Sequence, residues 1–332
     1  MIRIPFDEVR ETLGAVLRKL GFTAERAALC ARLFAETTCD GVYTHGIERF
    51  PRLVAMIGNG EVDAAAEPEV KARLGAIERW DGRRGPGNLN AWAAMERAMA
   101  LAREQGMGCV ALGNTNHWMR GGTYGWQAAA AGCIGICWTN TMPNLPAWGG
   151  TKPVVGNNPL VFAVPRAAGA IVLDMAVSQF SMGALAAYRK RGELLPVAGG
   201  FDAEGHLTRD PAAIEQSQRM LPVGFWKGSG LAIVLDAIAA MLSLGMATHQ
   251  IPPESLREAG LSQLFIAIDP RAVGEPEACE RIADGIVASL DVDPAAPVRY
   301  PGEKTLETRA ENLRLGLPAD PELWRQIQAM AR

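Results

Sequence analysis

From about residue 70 to residue 290 the chain alternates between two textures, and that alternation limits the folds open to it. Short β-rich runs at 76–81, 109–112, 134–139, 160–164, 171–175 and 264–268 are separated by alanine-rich stretches of helical length at 88–105, 122–131, 182–191, 229–244 and 277–290. Strand and helix in turn at this spacing predict an α/β sheet core. Before it, residues 1–70 read as helical. Phe6, Val9, Leu13, Val16, Leu17 and Leu20 recur at three- and four-residue steps, with Gly21 as a C-terminal cap. Thr23 opens a second helix to about residue 38, and a third is expected around Leu53, Val54 and Ile57, starting late because Pro51 has no N–H. Two more helical pieces, 306–315 and 321–331, end the chain. The expected organisation is a helical segment 1–70, an α/β domain 71–292 and a helical segment 293–332 that packs with the first.

With 332 residues there is enough chain to bury a large core without disulfide or metal staples. A hydrophobic share of 48%, a charged share of 21% and a formal net charge of −3 describe an ordinary globular chain. No block of Lys and Arg stands out, which argues against a nucleic-acid or membrane-surface partner. The first twenty residues carry charge throughout, unlike a secretion signal, so a cytoplasmic location with free thiols is expected. The apolar run 231–246 contains Asp236 and would reach only about 24 Å as a helix, which predicts a buried helix rather than a membrane span. Of six cysteines only Cys133 and Cys137 lie close, and no Cys–His cluster has ligand spacing, so no metal site is expected.

Nucleotide binding is the first chemistry to test in such a chain. Gly106-Met107-Gly108-Cys109-Val110-Ala111 has the spelling of a dinucleotide loop but follows a helix and precedes a strand, the wrong order. Gly82-Arg83-Arg84-Gly85-Pro86-Gly87 is better placed, between strand and helix, but lacks the glycine spacing. In Gly224-Phe225-Trp226-Lys227-Gly228-Ser229-Gly230 the lysine precedes the glycine, which rejects a P-loop. That segment leaves two readings open: a lysine that holds an anion or a nicotinamide amide, or glycines that let a helix pack closely.

His206 and His249 sit in polar, turn-like surroundings. His45 and Arg49 are four apart, one helical turn, a spacing suited to a site where arginine holds a carboxylate and histidine moves a proton. A helix-end histidine beside a solvated arginine has the same spacing. His117 lies in Asn114-Thr115-Asn116-His117-Trp118-Met119-Arg120 directly after a strand, where open α/β sheets bind ligands, although asparagines can also tie such a loop to itself.

Taken together, Gly41-Val42-Tyr43-Thr44-His45-Gly46-Ile47-Glu48-Arg49-Phe50, the run from Asn114 through Ala129, Gly135 through Asn140, Gly156-Asn157-Asn158-Pro159, Gly200-Phe201-Asp202 and Leu221 through Gly228 resemble the malate/L-lactate dehydrogenase family. The resemblance covers essentially the whole chain. It implies a non-Rossmann nicotinamide-binding sheet domain flanked by a helical layer from both termini, and a homodimer with the site near its interface. It also implies NADH, with NADPH as the alternative, and a small keto sugar acid as substrate. The general acid/base falls on His45 and the carboxylate partner on Arg49, with Asn116, His117 and Arg120 as further substrate contacts. Cofactor contacts fall on Ala170, Ile171, Val172, Leu173, Asp174, Met175 and Ala176, on Trp226 and Lys227, and on Gly302, Glu303 and Lys304. Met182-Gly183-Ala184 stands where many members have Gly-Lys, and Phe225-Trp226 replaces small residues, both features of the sugar-acid subgroup. A 2-hydroxy-acid dehydrogenase, a cyclic imino-acid reductase and a nicotinamide-binding sensor remain as other readings of the same scaffold.

Overall fold

The structure, a computed structural model, describes residues 1–252, 258–290, 295 and 297–332. A short strand β1 (Ile2–Ile4) precedes α1 (Phe6–Lys19) and α2 (Ala24–Cys39). Val9, Leu13, Val16 and Leu17 are buried on one face of α1, and Thr23 caps α2 by accepting from the Arg26 N–H at 3.4 Å. Two 3₁₀ turns, Tyr43–His45 and Ile47–Arg49, then lead into α3 (Phe50–Gly58), with Pro51 in the first turn, where no N–H is needed. The helical turn expected across His45 and Arg49 is therefore broken. Gly46 presses against α2 so closely that a Cβ would lie 2.1 Å from Thr38 Oγ1.

The alternating region supplies β2 (Glu69–Leu74), β3 (Ile77–Asp81), α4 (Gly87–Gln105), β4 (Met107–Asn116), α5 (Gly122–Ala130) and β5 (Ile134–Thr139). A small hairpin of β6 (Leu145–Pro146) and β7 (Pro153–Val155) precedes β8 (Leu160–Val164) and β9 (Ile171–Met175). Next come α6 (Met182–Arg191), β10 (Gly200–Phe201), β11 (Leu207–Thr208) and α7 (Pro211–Ser217), around a separate cluster of Leu145, Leu185, Leu195, Ile214 and Met220. The chain ends with α8 (Trp226–Ser243), β12 (Ala259–Ile268), α9 (Pro276–Ala288), α10 (Glu303–Leu315), β13 (Leu317–Ala319) and α11 (Pro321–Ala331).

One seven-stranded sheet, in the order β2-β3-β4-β12-β5-β8-β9, organises the described residues. Only the β3–β4 pair within it is parallel; the other neighbours are antiparallel, so the sheet is mixed. Ala91, Met95 and Ala98 of α4 cover one face against Val110, Leu112 and Phe265. Ala232, Leu235 and Ala239 of α8 cover the other against Cys109, Ala111 and Leu264. β1 pairs antiparallel with β13, and Trp324 and Ile327 of α11 share a cluster with Leu13, Leu17 and Phe34. The boundary expected at 292/293 lies outside the described residues.

Two expectations need correction. β4 and β12 are each ten residues long, well beyond 109–112 and 264–268. Among the added residues Thr115, Asn116, Ser262 and Gln263 are polar but buried: the Ser262 N–H donates to Asn140 Oδ1 at 2.8 Å, and Ser262 Oγ donates to the Met246 carbonyl at 2.9 Å. The apolar helix, expected to be buried, starts at Trp226 and is long and apolar enough by composition to cross a membrane, yet only a third of it is buried. Its inner face lies on the sheet, while Ile233, Val234, Ile238, Met241 and Leu242 are exposed. Asp236 in its middle accepts from Asn140 Nδ2 at 2.8 Å and from the Thr248 N–H at 3.0 Å, which ties the following loop to the helix.

Candidate functional site

The polar centre of the molecule lies where the 3₁₀ turns after α2 meet the loop after β4. Gly87 makes this approach possible: a Cβ there would sit 2.2 Å from the Asn116 carbonyl oxygen and 2.3 Å from that of His117. The His117 N–H donates to the Glu258 carbonyl at 3.2 Å. Its Nδ1 accepts from the Met119 N–H at 3.0 Å, which leaves the hydrogen of the neutral ring on Nε2. The His45 ring stacks on it, with centroids 5.7 Å apart and planes 23° from parallel, and His45 Nδ1 lies 3.0 Å from Thr44 Oγ1.

Charges surround this ring pair in two groups. Arg49 pairs with Glu258, the residue just before β12, and Arg52 approaches the same carboxylate at 3.3 Å. Arg120, almost fully buried, pairs with Asp40 and lies 3.6 Å from Asp174. Arg309 of α10 closes this second group with two hydrogen bonds to Asp40, at 2.6 and 2.8 Å. Burial holds His45 down at about 4, with Arg49 adding to the effect and Glu258 opposing it. His117 is pushed well below the ordinary histidine value, first by burial and then by the charge of Arg49. Both rings are therefore neutral in the ligand-free site near pH 7.

Asn116 is not part of this centre. Its amide donates to the carbonyls of Arg84 and Gly85 at 2.7 and 2.9 Å, so it staples the glycine loop. That loop is itself closed to phosphate: the Gly82 N–H donates to the Gly113 carbonyl and the Arg84 N–H to that of Asn114. Burial pushes Cys30 up to about 12 and Cys39 and Cys109 to about 11, so these thiols stay protonated.

The three candidate cofactor pieces converge on β9, an edge strand. Past its end, Ser178 bridges Pro222, and the Val223 N–H donates to the Val177 carbonyl at 2.8 Å, which brings the open start of α8 alongside. Trp226 and Lys227 are exposed there, while Gly228 is a packing glycine whose Cβ would lie 2.1 Å from the Val223 carbonyl oxygen. On the strand's other side the Val172 N–H donates to the Pro301 carbonyl at 2.8 Å. Gly302, at φ +96°, leaves a cradle that a Cβ would fill, 3.1 Å from Val172 N and 3.3 Å from the Trp126 ring. Lys304 points outward and pairs with Glu307 at 3.1 Å. Asp174 joins the two sides, accepting from the Gly122 N–H at 2.9 Å while facing Arg120. A strand edge, an open helix start with a lysine, and a glycine cradle fit an extended dinucleotide.

Neutral imidazole beside guanidinium groups, next to an open strand edge, is the arrangement of an enzyme that moves protons on a small anion. The chain belongs to the malate/L-lactate dehydrogenase family, whose model matches residues 4–328. It is thus an oxidoreductase working between a keto and a CH–OH group with a nicotinamide cofactor. A 2,3-diketo-L-gulonate reductase of Klebsiella pneumoniae (strain 342) is 46% identical, the match covering 99% of this chain and 100% of that one. The protein of the same description from Escherichia coli (strain K12) is 44% identical with the same coverage. Among solved structures, malate dehydrogenase from Entamoeba histolytica superposes with a TM-score of 0.93 at 25% identity, over 99% of this chain and 97% of that one. Sulfolactate dehydrogenase from Methanocaldococcus jannaschii does so at 0.91 and 27%, over 99% and 96%.

Sequence reasoning missed Glu258, Asp40 and Arg309. Each earns its place only through a partner far away in the chain, and no local spacing marks it.

Proposed function

We propose that the chain reduces 2,3-diketo-L-gulonate to 3-dehydro-L-gulonate with NADH, in the cytoplasm and as a homodimer. The reading is carried by the 44–46% identity to reductases of that substrate over their full lengths. The stacked His45–His117 pair beside Arg49 supports it. When bound, a nicotinamide would supply the hydride. Arg49 holds the substrate carboxylate, and His45, protonated once that anion is in place, gives its proton to the carbonyl oxygen as alkoxide character develops. His117 packs against the His45 ring and fixes its plane. Arg120, neutralised by Asp40 and Asp174, holds the loop rather than the substrate. Trp226, Lys227, the 170–176 strand and Gly302 form the dinucleotide groove, with Glu303 at the start of α10 beside it. Ile233, Val234, Ile238 and Met241 on α8 form an apolar stripe suited to a second copy.

The test is nicotinamide oxidation with 2,3-diketo-L-gulonate beside pyruvate, oxaloacetate and a cyclic imino acid, run with NADH and NADPH in parallel. Turnover of the diketo sugar acid far above the others, with NADH preferred, is the expected result. Preference for another acceptor would overturn the substrate, and cofactor binding without turnover on any acceptor would favour a sensor.

A further inference from the structure

Glu258 occupies the position that a substrate carboxylate would be expected to take: it is ion-paired to Arg49 and faces Arg52 at 3.3 Å. It is held there from behind, because its own carbonyl accepts the His117 N–H. Among the described residues, two guanidinium groups against one carboxylate leave a single unbalanced positive charge beside His45. The neighbouring group adds none, since Arg120 and Arg309 are matched by Asp40 and Asp174. The Glu258 and Arg49 side chains are both less than one-fifth exposed, so the balance is struck with little help from water.

We propose that Glu258 is a specificity-determining residue that restricts the pocket to monocarboxylate keto acids by using up one of the two positive charges that a dicarboxylate would need. This rests on Arg49 being the carboxylate partner, as argued above. A 2-keto monocarboxylate finds one positive charge and matches it. A dicarboxylate such as oxaloacetate brings a second negative charge next to Glu258 and is repelled. With Gln in place of Glu the shape is kept and the second guanidinium is freed.

The experiment compares the wild-type protein with Glu258→Gln, both loaded with NADH. Calorimetry measures binding of oxamate, a monocarboxylate, and tartronate, a dicarboxylate, and steady-state rates are taken with 2,3-diketo-L-gulonate and oxaloacetate. The expected result is a shift of the oxamate-to-tartronate affinity ratio by about tenfold or more toward tartronate, with kcat/KM moving the same way toward oxaloacetate. Glu258→Asp, which keeps the charge, should retain the wild-type ratio. An unchanged ratio in Glu258→Gln, or both ligands weakened in proportion, overturns the proposal and leaves Glu258 as a scaffold residue. Failure of the diketo sugar acid to turn over in the wild type would refute the substrate assignment instead, while the affinity ratio still decides the role of Glu258.

Discussion

The two halves of the site are built from different materials. On the side proposed to handle the proton, the site consists of side chains locked by other side chains: His45 on His117, Arg49 on Glu258, Arg120 on Asp40. On the side proposed to hold the cofactor it consists of main chain and open space: the edge of β9, the start of α8 and the glycine at 302. Charged groups near a reacting carbonyl must be fixed and largely dry to act at a set strength, whereas a long dinucleotide needs mainly a groove and backbone groups within reach. Substitutions on the first side should therefore alter chemistry and stability steeply, and those on the second should alter cofactor affinity gently.

His45→Ala is the strongest challenge to that contrast. Loss of the proton donor should lower turnover by about 10²–10⁴-fold while NADH affinity is unchanged, measured by steady-state rates and by fluorescence titration of the cofactor. A parallel loss of cofactor affinity would mean the two halves are not separate.

Asp40→Asn comes next. It removes the charge between Arg120 and Arg309 and leaves a buried guanidinium without its counter-ion, so urea unfolding should show a loss of about 3–5 kcal/mol. A loss below about 1 kcal/mol would show that Asp174 alone is enough to hold Arg120.

A smaller, graded effect is expected with pH. His45 in the ligand-free protein is held down at about 4, so it is protonated below that value and neutral above it. Reduction needs the protonated form. Its kcat/KM should therefore fall about tenfold per pH unit as pH rises above about 4, while kcat, set with the substrate anion bound, falls only at higher pH. Oxidation of the alcohol needs the neutral ring, and its kcat/KM should stay flat from slightly acid pH upward. A reduction profile that is flat across neutral pH would remove His45 as the donor.

This contrast also explains what could be read in the chain and what could not. The strands at 134–139, 160–164 and 171–175 were legible to the residue, because each is a short run dominated by apolar residues. β12 was half hidden, because Ser262 and Gln263 interrupt its apolar pattern and find their hydrogen-bond partners, Asn140 and the Asn116 carbonyl, on other elements. The proposed cofactor groove rests on glycines and a lysine at a helix start that stand out in the sequence, whereas the most loop-like segment, 82–87, serves packing. The spacing of His45 and Arg49 suggested a shared neighbourhood through a helical turn that does not exist; Gly46 reaches the same result by a different backbone path. Glu258 left no trace, since a single acidic residue before a strand acquires meaning only from arginines some 200 positions away, at 209 residues from Arg49.

Gly302→Ala should have the smallest effect, and it tests the cofactor side directly. Gly302 sits at φ +96°, and an added methyl would press on the Val172 nitrogen at 3.1 Å and on the Trp126 ring. Left-handed backbone costs a non-glycine residue roughly 1–2 kcal/mol, so the start of α10 should shift rather than unfold. The Val172–Pro301 hydrogen bond keeps that shift against the β9 edge, where it should raise the NADH dissociation constant by a few-fold. At saturating NADH the keto-acid KM and the pH profile should match wild type, because the added methyl meets Val172 and the Trp126 ring and neither histidine. A changed pH profile would mean that Asp174 couples the two halves through Arg120, and the contrast would have to be redrawn as one continuous site.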